Sequence, residues 1–233
     1  MGEPVIAPET YARWRATTLG SITERVETTL VLELAGDVRG KRVLDVGTGD
    51  GTYAIEVAAR GGRVTAVDVE PEMLEAARAR AAARGAEVFL KKGRAEALPF
   101  GDASFDVVLA VAILCFVPDA DAALREMTRV LAPGGRLILG ELGRFSVWAA
   151  ERRVRGWLGA RRWARARFWS TAQLRALARR AGLQIDQTRG AVFFPPSGLA
   201  ARVLAPLDPL LTRLHVPGAA FVALAATKPE STP

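Results

Sequence analysis

Three glycines spaced two apart, Gly47, Gly49 and Gly51, close the stretch KRVLDVGTGDG at residues 41–51. The apolar run Val43, Leu44 and Val46 stops abruptly at the first of them, which reads as a buried strand entering a tight turn. The residues that follow, YAIEVAARGG, favour a helix and end on a glycine pair. Glycine tolerates positive φ and lets a ligand lie against bare backbone, while the start of a helix offers unpaired N–H groups. A second strand, residues 63–68, ends in Asp68, roughly 20 residues beyond the glycines, where a carboxylate can hold a ribose diol. Glycine turn plus spaced carboxylate is the chemistry of a nucleotide site.

The glycine spacing separates two cofactor types. A dinucleotide fingerprint needs its third glycine three residues after the second, and Thr52 stands there. The chain instead has Gly-x-Gly-x-Gly, with Asp45 two residues ahead. That pattern resembles motif I of the class I S-adenosylmethionine-dependent methyltransferases. The likeness continues through VTAVDVEPEML (64–74), GRAEALPF (93–100), FDVVLAVAILCFVPD (105–119) and LREMTRVLAPGGRLIL (124–139). In order and spacing these resemble the small-molecule branch that includes the quinone-biosynthesis methyltransferases. Residues 40–140 carry the resemblance, and the flanks follow it loosely.

What the resemblance implies is an α/β, Rossmann-like, doubly wound sheet of seven strands. The sheet is mostly parallel with its last strand antiparallel, and carries an N-terminal helical lid and helical insertions. S-adenosyl-L-methionine would be the cofactor and S-adenosyl-L-homocysteine the product. The expected cofactor contacts are Asp45, Gly47, Thr48, Gly49, Asp68, Val69, Met73, Arg94, Ala95, Glu96 and Ala110. Many relatives have an aspartate in place of Arg94 to accept from the adenine amino group. Arginine carries donors only, so either a backbone group or Glu96 must take that part.

The chain reads as one methyltransferase domain over residues 1–233. It divides into a helical cap (1–40), a cofactor-binding core (41–140), a basic Trp/Arg-rich insert with a helix (141–182), and C-terminal strands with an apolar insertion (183–233). Half of the 233 residues are apolar, enough for a single large core. The longest apolar run, residues 107–117, is too short to span a bilayer, and no charged-then-apolar signal opens the chain. Cys115 is the only cysteine, so neither a disulfide framework nor a cysteine metal site is expected. A cytoplasmic location follows by default.

The cap reads as two helices broken at Leu19-Gly20, the second opened by a Ser21/Glu24 capping box. Tyr11 and Trp14 are candidate pocket walls on the first. Elsewhere a helix is expected over 71–84, the third strand over 87–90, a helix over 121–131 and the fifth strand over 136–140. Ser170 is a predicted N-cap, segments 183–185 and 191–194 bracket a sixth strand, and two short helices are expected near 199–204 and 207–214.

On the acceptor side, residues 113–117 carry no polar group except the Cys115 thiol, so this wall is apolar. Cys115, Glu141 and Arg144 join Tyr11 and Trp14 as candidate substrate contacts. If the acceptor must lose a proton, Tyr11, Glu141 and His215 are the candidate bases, with none preferred. The net charge of +7 is uneven: residues 142–180 hold eleven arginines against one acid, leaving the remainder slightly acidic. A lid over the acceptor is the first reading of this insert, contact with an anionic membrane the second and RNA the third.

The expected function is methyl transfer to a small, apolar or lipid-like molecule enclosed by segments 8–20, 145–167 and 195–217. An RNA methyltransferase, or a cofactor-binding protein without transferase activity, are the alternatives. Nucleic acid is disfavoured as a partner because no RNA-binding module is appended. The acceptor atom and the oligomeric state are not encoded in these motifs.

Overall fold

The structure, a computed structural model, describes residues 7–230 except the side chains of 161 and 162. Its elements run α1 (Pro8–Ala16), α2 (Thr18–Ala35), β1 (Arg42–Val46), α3 (Thr52–Ala58), β2 (Arg63–Asp68), α4 (Pro71–Ala83) and β3 (Val88–Lys92). These are followed by β4 (Phe105–Val111), α5 (Ala120–Val130), β5 (Leu131–Leu142), α6 (Val147–Trp157), α7 (Arg161–Arg165) and α8 (Thr171–Arg180). The chain ends with β6 (Gln184–Ala191), α9 (Gly198–Leu204), a 3-10 turn (Ala205–Leu207), α10 (Asp208–Arg213) and β7 (Phe221–Thr227).

The seven strands lie in the order β3-β2-β1-β4-β5-β7-β6. All pairs from β3 to β5 are parallel, and β7 runs antiparallel to both β5 and β6. This matches the expected doubly wound sheet. The sequential order reverses between β1 and β4, so the cleft beyond their carboxyl ends is the place where such sheets take ligands.

Central strands are apolar on both faces because helices cover both sides. Along β4, Val108 and Ala110 face the cluster containing Leu124 and Met127 of α5 and Leu174 and Leu177 of α8. Their neighbours Val107, Leu109 and Val111 face the opposite cluster, with Leu30, Val31 and Leu34 of α2 and Val57 of α3. The two edges differ in kind. β3 ends in Lys91 and Lys92, and β6 carries Gln184, Asp186, Gln187 and Arg189. Charged edges leave no apolar ladder for another chain to pair with.

Strand six lies between the two apolar segments that bracket it, as expected, with Asp186 fastened to Arg136 at 3.3 Å and Thr227 at 2.8 Å. Strand three extends past residue 90 into its two lysines, which give no apolar run to read. The fifth strand continues through Glu141 and Leu142, so Glu141 lies inside the sheet and not in a loop.

In the cap, the break falls at Thr17, whose hydroxyl accepts from the Gly20 amide at 3.0 Å. Ser21 and Glu24 therefore form no capping box. Gly20 is needed for clearance: a β-carbon there would lie 2.0 Å from the Trp14 carbonyl oxygen, where α1 turns back onto α2. The cap of α8 is as expected, with the Ser170 hydroxyl accepting from Gln173 N and the Gln173 side chain accepting from Ser170 N.

The apolar insertion is anchored by Asp208, which is buried and accepts from the amides of Val192 and Phe193, each at 2.9 Å. Val192 has φ +61, a conformation a branched residue holds only when its surroundings enforce it. Asp208→Ala is expected to lower stability by about 3 kcal/mol, since two buried amides lose a charged acceptor. Chemical denaturation checks this; a loss below about 0.5 kcal/mol would mean that water replaces the carboxylate.

Candidate functional site

The turn after β1 is held from both sides. The amides of Gly47 and Thr48 donate to the Val67 carbonyl of β2, at 2.8 and 2.9 Å. The Gly49 amide donates to Asp68 Oδ2 at 2.8 Å, and the Glu70 amide to Asp68 Oδ1 at 3.0 Å. Each carboxylate oxygen thus keeps a second lone pair, enough for a pair of vicinal hydroxyls.

Gly47, Gly49 and Gly51 have φ of 70°, 55° and 84°. Their surroundings separate their tasks. A β-carbon on Gly47 would meet Ile113 Cδ1 at 2.1 Å and one on Gly51 would meet Ala77 Cβ at 3.2 Å, whereas one on Gly49 meets nothing within 4 Å. Gly47 and Gly51 serve close packing. Gly49 opens onto free space beside the Asp68 carboxylate, the arrangement a nucleoside requires.

Asp45 lies buried beneath the turn and accepts from the Thr48 hydroxyl at 2.7 Å. Burial pushes its carboxyl up to about 6, against the opposing pull of bonds from Thr48 and the Ala54 amide. Ala110 is buried and pairs with Val46 at the switch point. Beyond β2, Val69 is exposed and Met73 half-buried on α4. Ala95 is buried, while the exposed Arg94 turns to Glu96, 3.5 Å away. Glu96, one of the two candidates for the adenine amino group, is therefore itself paired with Arg94.

Asp50, between the glycines, and Thr52, just beyond them, tie the cap to the turn, a link that no spacing in the chain announces. Asp50 is buried and ion-paired with both Arg15 of α1 and Arg80 of α4, the latter at 2.6 Å. Arg15 also donates to Thr52 Oγ1 at 3.3 Å, and that hydroxyl donates to Glu24 of α2 at 3.1 Å. Arginine suits such a shared site because its planar fork serves several acceptors at once. Trp14 and Tyr11 stack with centroids 5.5 Å apart, and Arg15 lies over the Tyr11 ring at 5.1 Å. Burial, followed by Glu27, Glu24 and Asp50, holds the Tyr11 hydroxyl well above its ordinary value.

The other candidate acceptor contacts divide. Cys115 is buried, donates to the Ala112 carbonyl at 3.2 Å and packs with Phe168 and Ala149 of the insert, so its thiol is covered. Burial and then Glu141 push its pKa well up. Glu141 is fully buried; Oε1 accepts from the Leu114 amide at 2.7 Å and Oε2 has no partner. Arg144 is exposed, with its guanidinium over Phe145, and the structure does not bring it to the turn. His215 is exposed at the end of α10. Trp148 and Phe194 join the core, the Trp148 indole donating to the Phe194 carbonyl at 2.8 Å. Trp157 is 84 % exposed.

Glu27 and Tyr53 escaped the sequence reading. Glu27 stands one turn beyond Glu24 on α2, and burial pushes its carboxyl up to about 7 against the pull of the Arg152 guanidinium. Burial and the nearby acids, Glu27 first, raise Tyr53. Arg152 itself is stacked between the rings of Trp148 and Trp163, 4.9 and 4.8 Å from their centroids. Spacing alone gives Glu27 no distinction from a solvated helix face.

A parallel sheet with a switch point, and a glycine turn closed by the carboxylate of the next strand, define a nucleotide-binding α/β domain. Residues 44–139 match the family model described as "Methyltransferase domain". Over 163 residues the chain is 35% identical to the ubiquinone biosynthesis O-methyltransferase of Xanthomonas axonopodis, covering 67% of this chain and 68% of that protein. It is 42% identical over 108 residues to an uncharacterized protein of Mycobacterium tuberculosis, of whose length the match spans only 39% and of this chain 46%. Its fold superposes on the crystal structure of a SAM-dependent methyltransferase, possible histamine N-methyltransferase, from Thermotoga maritima. There the TM-score is 0.71 with 29% identity, over 94% of this chain and 95% of that one. The chain belongs to the S-adenosylmethionine-dependent methyltransferases.

Two substitutions test whether a ligand lies over the turn. Asp68→Ala is expected to cost about 2–4 kcal/mol of S-adenosylhomocysteine binding in a calorimetric titration. An affinity changed by less than about twofold would remove Asp68 from the site. Gly49→Val should abolish binding in a protein that still melts cooperatively, at a lower temperature, since no protein atom opposes the new side chain but φ 55° strains a branched residue; loss of both would leave the glycine a purely structural role.

Glu141 gives a test of burial. Its carboxyl, raised from 4.5 to about 8, holds a proton in the folded state that the unfolded chain releases. Stability is therefore fullest below about 4.5 and falls as pH rises towards 8. Glu141→Gln should flatten that fall, raising the melting temperature more at high pH than at low. An equal change at both would show that Glu141 is ionised in the folded protein.

Proposed function

We propose that this protein transfers a methyl group from S-adenosylmethionine to a small, largely apolar, lipid-like molecule. The observation that carries the acceptor class is the wall beyond β4. Ile113 packs against Gly47, and residues 113–117 place no charged group beside the turn. Such a wall can bind an apolar ligand but cannot orient a sugar or an amino acid. The name of the Xanthomonas relative, a ubiquinone biosynthesis O-methyltransferase, supports the same class.

When bound, S-adenosylmethionine supplies a methyl carbon already activated by its sulfonium, so the protein's contribution is alignment more than bond chemistry. In this reading Asp68 takes the ribose hydroxyls, Gly49 leaves room for the nucleoside, and Asp45 with Thr48 fixes the turn. Ala110 and Ile113 form the floor where the methyl group and acceptor meet. Tyr11 and Trp14 cover it from the cap.

For an acceptor hydroxyl, Glu27 is the base we infer in place of those named from sequence, since its carboxylate is near enough to Tyr11 of the cap and Tyr53 after the turn to raise both. Tyr11 is held protonated, Glu141 already accepts from Leu114, and His215 lies outside. A carboxyl near 7 is poised to take a proton at neutral pH. Release of S-adenosylhomocysteine, followed across quinol, polyketide and fatty-acid acceptors, tests the class. Robust methylation of a small charged acceptor such as glycine or guanidinoacetate would overturn it. With an accepted hydroxyl substrate, Glu27→Gln should lower kcat about 100-fold and remove the limb near pH 7 from its profile. An unchanged profile would leave Glu27 a structural residue.

A further inference from the structure

The segment from α9 to α10 is folded with its polar groups inward and its apolar groups outward. Asp208 is buried against the amides of Val192 and Phe193, and the Thr212 hydroxyl donates to the Gly190 carbonyl at 2.8 Å. Ala201 fills the core. Facing outward are Leu199, Val203, Leu204, Leu207, Leu210 and Leu214, from 37 % exposed at Leu204 to 75 % at Leu199. Six large apolar side chains on one short stretch are more than the scattered exposure of an ordinary surface. Their inner side is fastened by hydrogen bonds, so the outward face is a property of the fold.

We propose that the outer face of residues 198–214 docks on the surface of an anionic lipid bilayer. Charge selects this occupant. The exposed charges of the segment are Arg202 and Arg213, and its one acid, Asp208, is buried. A second copy of the chain, paired through this same face about a two-fold axis, would set a patch whose exposed charges are all positive against itself, with no acid to answer them. Anionic head groups instead meet them while the leucines enter the acyl boundary, as in helices that lie in an interface. The neighbouring insert extends the same chemistry. α6 starts against the core shared with α9, through the Trp148–Phe194 bond, and its far end exposes Trp157 and Leu158 beside Arg155. The contact is peripheral, because no helix among the described residues is long and apolar enough to cross a membrane. Docking goes beyond the acceptor reading and does not depend on it.

Co-sedimentation of the intact protein, with neither cofactor nor acceptor, is the test. The vesicles are phosphatidylcholine alone, and phosphatidylcholine with about a quarter phosphatidylglycerol. The protein should pellet with the anionic vesicles and stay in solution with the neutral ones. Leu207→Asp/Leu210→Asp should weaken the anionic binding at least about tenfold, with cooperative melting retained because both side chains are already about half exposed. Should that variant misfold, Arg202→Glu/Arg213→Glu must give a loss of similar size. Three results overturn the proposal: no vesicle binding, equal binding to both vesicle types, or anionic binding that neither variant weakens. A dimer in light scattering that Leu207→Asp/Leu210→Asp dissolves would give the face to a second copy instead.

Discussion

One hydrogen bond fixes the geometry on which the rest relies: the Gly49 amide donating to the carboxylate of Asp68. It joins the end of β2 to the turn after β1, and so sets a carboxylate beside an open stretch of backbone. The neighbouring bonds to Val67 hold the turn flat against the sheet, and Asp45 supports it from below through Thr48. None of these groups is reactive. They fix position, which suits a reaction whose donor carbon arrives already activated.

The sheet's centre was legible because burial on both faces leaves a strand no choice but to be apolar. β1, β4 and the glycine turn could be read for that reason. The edges were legible only through their apolar parts: the Lys91-Lys92 end of β3 and the polar middle of β6, with its amides, Asp186 and Arg189, have a composition that also suits loops. Glycine misled once. Gly20 looked like a helix break, yet it stands within α2 and serves the close approach of the Trp14 carbonyl. The glycine turn and the Asp68 carboxylate that closes it were equally legible, since they are local in sequence. Glu27, Arg152, Arg15 and Asp50 meet only through tertiary packing, and their spacing in the chain carries no trace of it.

Several acids in this fold sit where charge is unfavourable. Asp45, Glu27 and Glu141 are all raised by burial, while arginines or backbone amides oppose the shift. The aromatic–arginine stacks around Arg152 and Arg153 keep basic groups close to this interior without burying them unpaired. Trp148 and Phe194 are spent on the core, joined by the bond from the indole to the Phe194 carbonyl.

The ion pairs of Asp50 bear on how far the turn depends on the cap. Stripping a buried carboxylate of its sole partner costs about 3–5 kcal/mol. Asp50 has two partners on different elements, Arg15 of α1 and Arg80 of α4. Loss of the cap's arginine would leave the carboxylate a counter-charge from α4, so the shape of the turn does not hang on the cap alone.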